Sequence, residues 1–562
     1  MKQESEEANK SKGRSSTLSI RLLRSGATIK EGLRSGHSMI ERETIDGYLY
    51  TAQSEDAPPS WVKIIREFSG ADLPDLTNRH CSAVLFLKVA PLDRRKRERV
   101  FAITFGSGHH FLNPDAYERN FGLRVTLNAV ARGDLRNVDV AQLDTTLIQK
   151  RIQSSRRTDL RDFGVDVQSD LLRLAGGRPT DQEFARALTG KDALILTAKM
   201  KPSEIIDKCR NSLDLYAKKY YERDFKFIDY IIPETRPSFI QRLDGIIFEE
   251  LKGMVGGGKS DLHIAIPEIV NPEDAFEIGY YGSGLRSGNK STYSDVVIED
   301  YIQELKAGRM ADIADMAEVR GSHEIRVIVN GEGDRQRRQR LYDCFVFEVR
   351  YDGATYVLFA GAWYRIDNGY YSRVDGNFQG YVSGSPFLNK TDARNEKELI
   401  GDLNNDGDLL NLDQVKLSPM NAPGANIEPC DFLSRTRQFI HLKDGNDSAP
   451  ISHLWNQALV SAECLVSDAE FRQQLRDSVS DRQKKYGRSG FLKLLPNKLE
   501  KPVASEYVIV YGIMRTAYVS IKAKSRRLDL PFFSKVSFQS VAERIERMGF
   551  KVEVHLIEKK RQ

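Results

Sequence analysis

Residues 426–445 have the sequence NIEPCDFLSRTRQFIHLKDG. They predict two neighbouring strands, at 426–434 and 437–445, separated by a short polar turn. Along the second strand, His441 and Lys443 are two residues apart, so their side chains project from the same face. Asp431 lies in the first strand, and we expect its carboxylate to share a surface with Lys443.

The elements on both sides extend this pattern. A helix at 391–405 and a strand at 409–417 precede it, and a helix at 451–468 and a strand at 506–514 follow it. A further helix at 535–549 leads into a last strand. The predicted order is helix, three strands, helix and strand, or αβββαβ.

This order resembles the core of the PD-(D/E)xK restriction-endonuclease-like superfamily. The resemblance implies that carboxylates hold Mg²⁺ or Mn²⁺, while a lysine handles the nucleophilic water. The matching metal ligands are Asp431 and a helix glutamate, Glu396 or Glu398. Lys443 matches the lysine, and Gln457 stands where related restriction enzymes often place a supporting polar residue.

His441 is the departure from the superfamily pattern, which has an acid at this position. An imidazole is a poor ligand for Mg²⁺, although it suits Mn²⁺ or Zn²⁺ or acts as a base. Three hypotheses therefore stay open for the site. It is an active nuclease, a degenerate version that only binds, or an ordinary cross-strand ion pair between Asp431 and Lys443.

The regions before residue 381 predict an α/β domain followed by strand-rich sequence. The predicted strands are 81–90, 99–106, 263–270, 325–331, 345–351 and 355–366, and the predicted helices are 180–190 and 202–222. Hairpins are expected between the first two strands and around residues 352–354. The fold class is therefore α/β and multidomain, with a strand-rich middle region and a C-terminal restriction-endonuclease-like αβββαβ core. The predicted parts are a disordered N-terminus at 1–17, an N-terminal α/β domain at 18–233, the middle region at 234–380 and the C-terminal domain at 381–562.

Composition excludes several classes of protein. The 562 residues are 40% hydrophobic and 29% charged, which is typical of a soluble protein with more than one domain. No apolar stretch approaches the roughly 20 residues that a membrane span needs, and the N-terminus lacks the apolar segment of a signal peptide. Five widely spaced cysteines exclude a CxxC metal cluster and a disulfide framework. We therefore expect a cytoplasmic protein.

The net charge of +5 is small, but the positive residues are clustered. These clusters predict contacts with nucleic acid, with DNA favoured over RNA, although solvated surface loops would give the same pattern. The candidate contact residues are Arg94, Arg95, Lys96, Arg97, Arg337, Arg338, Lys524, Arg526 and Arg527.

Two further motifs are alternatives. Residues 253–260 satisfy G-x-x-x-x-G-K-[ST], the phosphate-binding loop of NTPases, and would use Lys259 and Ser260. The sequence after this motif alternates like a strand, whereas a phosphate-binding loop must open a helix. Residues 402–413 resemble a Ca²⁺ loop, although polar turn residues are expected there in any case.

Four passages resemble an uncharacterised bacterial family described as sporadically distributed. They are RLDGIIFEELKG, IEPCDFLSRTRQFIHLKDG, ISHLWNQALVSAECL and LPFFSKVSFQSVAERIERMGF, and the resemblance covers nearly the whole chain from about residue 18. Such a distribution implies mobile elements and a role in anti-phage defence, with a second copy of the chain or a phage-encoded trigger as candidate partners. The expected function is nucleic-acid binding with metal-dependent nuclease activity. The alternatives are a non-catalytic sensor of nucleic acid or phage protein and an NTP-binding switch.

Overall fold

The computed structural model describes residues 14–44, 47–93, 95, 97–142, 148–165, 170–258, 260–265, 276–286, 293, 296–329, 336–420, 424–445, 451–516, 518–520 and 525–560. These residues form a mixed α/β protein with several sheets and separate hydrophobic cores, so the predicted class is confirmed at this level. Among them, no helix is long and apolar enough to cross a membrane.

The N-terminal part contains one antiparallel sheet of ten strands. The strands are β1 (Arg14–Leu22), β2 (Ile40–Arg42), β3 (Tyr48–Gln53), β4 (Cys81–Val89), β5 (Arg99–Gly106), β6 (Leu135–Gln142), β7 (Ile148–Thr158), β8 (Asp170–Gly177), β9 (Ala187–Gly190) and β10 (Leu194–Met200). They lie in the order β2-β3-β4-β5-β1-β10-β9-β8-β6-β7. The hairpin of β4 and β5 confirms the prediction, but β1 begins within the predicted disordered segment 1–17. Residues 1–13 lie outside the described residues.

Helices α1 (Ser60–Ser69), α2 (Phe121–Ala129), α3 (Ile205–Ala217) and α4 (Glu222–Phe225) accompany this sheet. The helix predicted at 202–222 is confirmed by α3. The helix predicted at 180–190 is wrong, because this segment makes a single turn held by the Asp181 side chain and then enters β9. A Cβ on Gly190 would lie 1.9 Å from the carbonyl oxygen of Gly122. Gly190 therefore permits close packing of α2 on the sheet instead of ending a helix.

The middle region contains two antiparallel sheets. The five-stranded sheet consists of β11 (Ile231–Pro233), β12 (His263–Ile264), β16 (Phe345–Tyr351), β17 (Ala354–Phe359) and β18 (Ala362–Ile366), in the order β11-β18-β17-β16-β12. The three-stranded sheet consists of β13 (Phe276–Tyr281), β14 (Glu324–Val329) and β15 (Gln336–Arg340). Helices α5 (Pro237–Val255), α6 (Ile298–Ala307), α7 (Met316–Ser322), α8 (Leu341–Cys344) and α9 (Asn368–Tyr381) surround them. Strand β11 precedes the predicted boundary at residue 234 but pairs with β18, so it belongs to the middle sheet.

The hairpin predicted around residues 352–354 is confirmed, with Tyr351 paired to Ala354. Asp352 and Gly353 have φ values of 49° and 78°, as a tight two-residue hairpin turn requires. The strand predicted at 355–366 is instead two strands. Ala360 and Gly361 have φ values of 48° and 71°, and this second turn reverses the chain between β17 and β18.

The C-terminal part is built on a mixed sheet of six strands. Its strands are β19 (Lys390–Thr391), β20 (Leu409–Asn411), β21 (Phe432–Ser434), β22 (Gln438–Asp444), β23 (Val508–Arg515) and β26 (Lys551–Lys559), in the order β19-β26-β23-β22-β21-β20. β20, β21 and β22 are antiparallel neighbours, whereas β22, β23 and β26 run parallel. A separate hairpin joins β24 (Tyr518–Ser520) and β25 (Ser525–Arg527).

Helices α10 (Glu396–Leu403), α11 (Ile451–Ser467), α12 (Ala469–Tyr486) and α13 (Phe532–Arg547) cover both faces of this sheet. Ile440 and Leu442 of β22 pack in one core with residues of α10, while Phe439 packs in another with residues of α11 and α13. The predicted succession of helix, three strands, helix and strand is present. β20 and β21 are shorter than predicted, so Asp431 lies directly before a strand instead of within it.

The middle and C-terminal parts meet at the start of α13. Glu348 of β16 accepts hydrogen bonds from the backbone N–H groups of Phe532 (2.7 Å) and Phe533 (3.4 Å). Burial raises the pKa of Glu348 to about 7. Lys535 of α13 is fully buried beside Asp375 of α9. These contacts fix α13 against elements of the middle region.

Candidate functional site

The site lies where the ladder between β21 and β22 ends. Phe432 and Ile440 are the last paired residues, so Asp431 and His441 come next in the register. The backbone N–H of Leu442 donates instead to Oδ2 of Asp431, at 2.6 Å. A side-chain carboxylate thus replaces a backbone acceptor, and this holds Asp431 at the end of the ladder between β21 and β22.

Several carboxylates surround Asp431. Its withdrawal from water raises the pKa of Asp431 to about 7, against the lowering effect of the Leu442 N–H group. The negative charges of Glu396, Asp413 and Glu428 raise it further. Asp413, the last residue of the candidate Ca²⁺ loop, and Glu428, three residues before Asp431, were not predicted at this site. The result is an acidic group whose mutual repulsion a cation would relieve.

Lys443 and Gln457 reach the same group from different elements. Nζ of Lys443 lies 3.0 Å from Oε2 of Glu396, with 28% and 31% of the two side chains exposed. Nε2 of Gln457 on α11 donates to Oε2 of Glu428 at 2.6 Å. Four of the residues predicted from the sequence therefore meet around one carboxylate cluster, namely Asp431, Glu396, Lys443 and Gln457.

The two candidate glutamates of α10 have different surroundings. Glu396 pairs with Lys443, as described above. Glu398 accepts a hydrogen bond from the backbone N–H of Arg394 at 2.7 Å, while its own N–H donates to the Asn395 side chain. This is the reciprocal bonding of a helix cap. The structure therefore gives Glu398 a capping contact and places Glu396 at the site.

His441 is buried in the sheet, with 1% of its surface exposed. It pairs in register with Tyr511 of β23, and the two ring centroids are 6.3 Å apart. Burial lowers the pKa of His441 to about 3, and its Nε2 has no hydrogen-bond partner among the described residues. The imidazole is therefore neutral, and a glutamate placed here would bury a charge.

The described residues contain no group of three or more His, Cys, Asp or Glu side chains arranged to hold a metal ion. Mg²⁺ is commonly held by one or two carboxylates together with waters and substrate phosphates, so it needs no cage made of protein alone. Asp431 and Glu396 supply the oxygen donors that this ion prefers. The donor set therefore fits Mg²⁺ or Mn²⁺ bound jointly with a substrate.

The described members of the predicted basic clusters lie on or next to three different sheets. Arg95 and Arg97 are exposed between β4 and β5, and Arg95 contacts Asp93 at 3.1 Å. Arg338 is exposed on β15, opposite Arg326 of β14. Arg337 lies in β15 and Arg526 and Arg527 lie in β25, but their side chains are outside the described residues, as are Arg94, Lys96 and Lys524.

The glycine motif at 253–260 has a helix on its N-terminal side. Gly253 belongs to the last turn of α5, and the N–H groups of Gly257 and Gly258 donate to the carbonyls of Met254 and Gly253. A helix C-terminus presents carbonyl groups and partial negative charge, which disfavour a phosphate. Lys259 lies outside the described residues. This geometry is the reverse of a phosphate-binding loop.

The candidate Ca²⁺ loop at 402–413 connects α10 to β20. Asp408 forms an ion pair with Arg435 at 3.1 Å. Arg488 donates to the backbone carbonyl of Asp406 at 3.0 Å. Arginine groups thus already contact an acid and a carbonyl of this loop, as expected for a polar connection between two elements.

The comparison with family models gives a match over residues 18–558, to a family of unknown function. The chain belongs to the DUF6119 family. The predicted resemblance to an uncharacterised family over nearly the whole chain is thereby confirmed. Searches of curated proteins and of solved structures each gave no significant match to this DUF6119 chain.

Replacing Asp431 by asparagine is expected to stabilise the fold at high pH. The pKa of Asp431 in the folded chain is about 7, above the value of about 4 in an unfolded chain. The folded state therefore holds a proton that the unfolded state releases, and the wild-type chain loses stability between these two values. Asparagine retains an acceptor for Leu442 but does not titrate. Urea midpoints at about pH 4 and pH 8 should show a clear gain for Asp431→Asn only at the higher pH, and an equal gain at both would contradict the assignment.

Proposed function

We propose that this chain is a nucleic-acid-binding protein of anti-phage defence whose C-terminal domain hydrolyses phosphodiester bonds. One observation carries the proposal. Asp431, Glu396 and Lys443 come from three separate elements and lie together where β21 and β22 separate. The αβββαβ succession around them supports a restriction-endonuclease-like core.

Asp431 and Glu396 would hold Mg²⁺ or Mn²⁺ in this site. When bound, the ion would supply a water of lowered pKa and neutralise charge on the phosphoryl oxygens. Burial and, after it, the carboxylates around Asp431 raise its pKa and so disfavour its charged form in the absence of a cation. The chain's own residues thus provide the ligands for the ion and a local concentration of carboxylates that favours its binding.

Lys443 provides a positive charge at the site that does not depend on a bound metal ion. Its ion pair with Glu396 holds the ammonium group at the cluster, where it would orient the attacking water and stabilise the developing negative charge. Gln457 would act as a positioning residue, since it binds Glu428 and not Asp431. DNA is the favoured substrate, and a phage-encoded component is the proposed trigger.

His441 favours a second candidate function. At the position of the usual acid, the chain has a fully buried neutral imidazole that supplies no charge. A degenerate nuclease core that senses nucleic acid or a phage protein would tolerate this residue. An NTP-binding switch through residues 253–260 is less well supported, because α5 presents its C-terminus to the motif.

The test is incubation of the purified chain with plasmid, single-stranded DNA and RNA, with Mg²⁺, Mn²⁺ or a chelator. We expect metal-dependent cleavage of DNA that Asp431→Asn abolishes. Asp402→Asn, which changes an exposed acid on α10, is the matched control and should cleave normally. Cleavage that persists in Asp431→Asn would reject this site. Salt-dependent binding without cleavage by the wild-type chain, whichever metal is added, would favour the sensor.

A further inference from the structure

Six arginines converge where the N-terminal sheet meets the middle region, and we call this group the arginine junction. Arg21 lies near the end of β1, Arg24 and Arg34 lie in the segment after it, and Arg119 precedes α2. The other two, on α7 and at the end of β15, are Arg320 and Arg340. Residues far apart in the sequence therefore bring a concentration of positive charge to one place.

One carboxylate is shared by three members of the junction. The Asp115 oxygens lie 3.0 Å from Arg320, 3.1 Å from Arg340 and 3.7 Å from Arg119. These side chains are partly buried, with between 11% and 28% of each exposed. The remaining carboxylates that pair with these three arginines are Asp192, Asp244 and Asp343. The negative charges of the junction are therefore already engaged.

The other three arginines have no ion pair among the described residues. Nε of Arg24 donates to the Tyr117 carbonyl at 3.2 Å, and Nε of Arg34 donates to the Leu112 carbonyl at 3.1 Å. The buried Nε of Arg21 has no hydrogen-bond partner in the same residues. These three guanidinium groups thus bring positive charge to the junction without an ion pair of their own among the described residues.

The surroundings of Arg21, Arg24 and Arg34 affect how readily each guanidinium group carries its positive charge. Burial lowers the pKa of Arg21 and of Arg24, and the positive charge of Arg119 adds to this, while Asp192 opposes it at Arg21 and Asp115 and Glu118 oppose it at Arg24. Arg34 is more exposed; desolvation and the charge of Arg340 lower its pKa, and Asp343 and Asp115 oppose them. Glu118 offers no full compensation, because it pairs with Arg99 at 2.6 Å. These carboxylates are shared with other arginines, so an additional anion at the junction would stabilise the partly buried Arg21 and Arg24.

The segment that carries Arg24 and Arg34 repeats a short motif. Each arginine is followed by serine and glycine, in Arg24-Ser25-Gly26 and Arg34-Ser35-Gly36. Both glycines have positive φ, of 87° and 72°, and a Cβ on either would meet only open space. Turns of this kind can direct successive N–H groups toward an anion. Both turns are exposed, so a ligand can reach their backbone N–H groups from solvent.

We propose that the arginine junction binds the phosphate groups of a small phosphorylated molecule, such as a nucleotide. Guanidinium groups bind phosphate oxygens through paired N–H donors, and clefts between structural units are common ligand sites. The partial burial of the junction favours a small ligand over a nucleic-acid backbone, which binds to exposed surfaces. This site is separate from Asp431 and from the glycine motif at 253–260, so it stands whether or not the chain is a nuclease.

The test measures ligand binding to the full chain by thermal shift and by titration calorimetry. The ligands are pyrophosphate, ATP and a short single-stranded DNA, and chloride at matched ionic strength is the control. We expect pyrophosphate and ATP to raise the melting temperature. Arg21→Gln and Arg24→Gln should each weaken binding about 10- to 100-fold, because each removes charge-assisted hydrogen bonds. Arg95→Gln, which changes an exposed arginine between β4 and β5, should bind like the wild type.

Three results would overturn the proposal. They are no shift with any phosphate compound, unchanged affinity in Arg21→Gln and Arg24→Gln, and binding of single-stranded DNA alone. Arg24→Lys covers the case in which a glutamine variant does not fold, since it keeps the charge and loses only the planar fork of donors. It should fold and bind with intermediate affinity, whereas wild-type affinity in this variant would also count against the site.

Discussion

Replacing Lys443 by alanine is expected to lower the rate of phosphodiester cleavage about 10²- to 10³-fold, the usual effect of removing one group that stabilises transition-state charge. Lys443 is the positive group of the chain that contacts the carboxylate cluster through Glu396. Its side chain is partly exposed, so loss of the ion pair should cost only about 1 kcal/mol of stability or less. Cleavage rates at saturating metal, measured beside the urea midpoint, separate the two effects.

Two variants sharpen this experiment. Lys397→Ala removes an exposed lysine next to Glu396 on the same helix, changes the net charge equally, and should retain activity. Lys443→Arg keeps the positive charge and should recover part of the rate. If Lys397→Ala and Lys443→Ala lose activity to the same extent, the general charge of the surface is responsible and the assigned role of Lys443 is wrong.

Replacing Lys535 by methionine is expected to destabilise the chain by about 3–5 kcal/mol, the range for breaking a buried ion pair by removing one partner. The Lys535 side chain has 0% exposure and contacts Asp375 at 2.6 Å and Asp529 at 2.5 Å. Methionine fills a similar volume but removes the cation that lies between two carboxylates. The urea midpoint of unfolding measures the loss.

The same helix offers the matched control. Arg544 pairs with Glu463 at 2.8 Å, but 53% and 43% of these side chains are exposed. Arg544→Met should therefore cost about 1 kcal/mol or less. Adding Asp375→Asn and Asp529→Asn to Lys535→Met should restore much of the stability, because the two carboxylates that Lys535 contacts are then removed together with it. Similar losses in Lys535→Met and Arg544→Met would show that burial does not determine the effect.

The sequence predicted the C-terminal elements because their signals are local. The alternation at His441 and Lys443 and the periodic spacing in ISHLWNQALVSAECL depend on neighbouring residues, and the structure contains the corresponding strand and helix. Strand ends were predicted less well. Pairing of β21 stops at Phe432, since the Asp431 carboxylate accepts the next N–H group, and residue patterns do not reveal such a side-chain substitution.

Other errors came from contacts between distant residues. The segment TDQEFARALTG has helical spacing, but pairing with β8 and β10 and the close approach of Gly122 make its end a strand. The arginine junction joins residues near position 21 to residues near position 340, and the two Arg-Ser-Gly turns contain only two of its six arginines, so the sequence alone does not reveal it. Asp413 was missed for the same reason, because only the folded sheet brings its charge close to Asp431.

The hydrogen bonds from Phe532 and Phe533 to Glu348 bear on where an autonomous folding unit can be cut from this chain. A fragment beginning at residue 381 would contain all six strands of the C-terminal sheet. It would nevertheless lack the carboxylate that caps the N-terminus of its last helix, and two phenylalanines, now 1% and 8% exposed, would face water. Such an excised fragment should fray and self-associate, so a stable unit must include β16 together with the middle-region elements that pack on it.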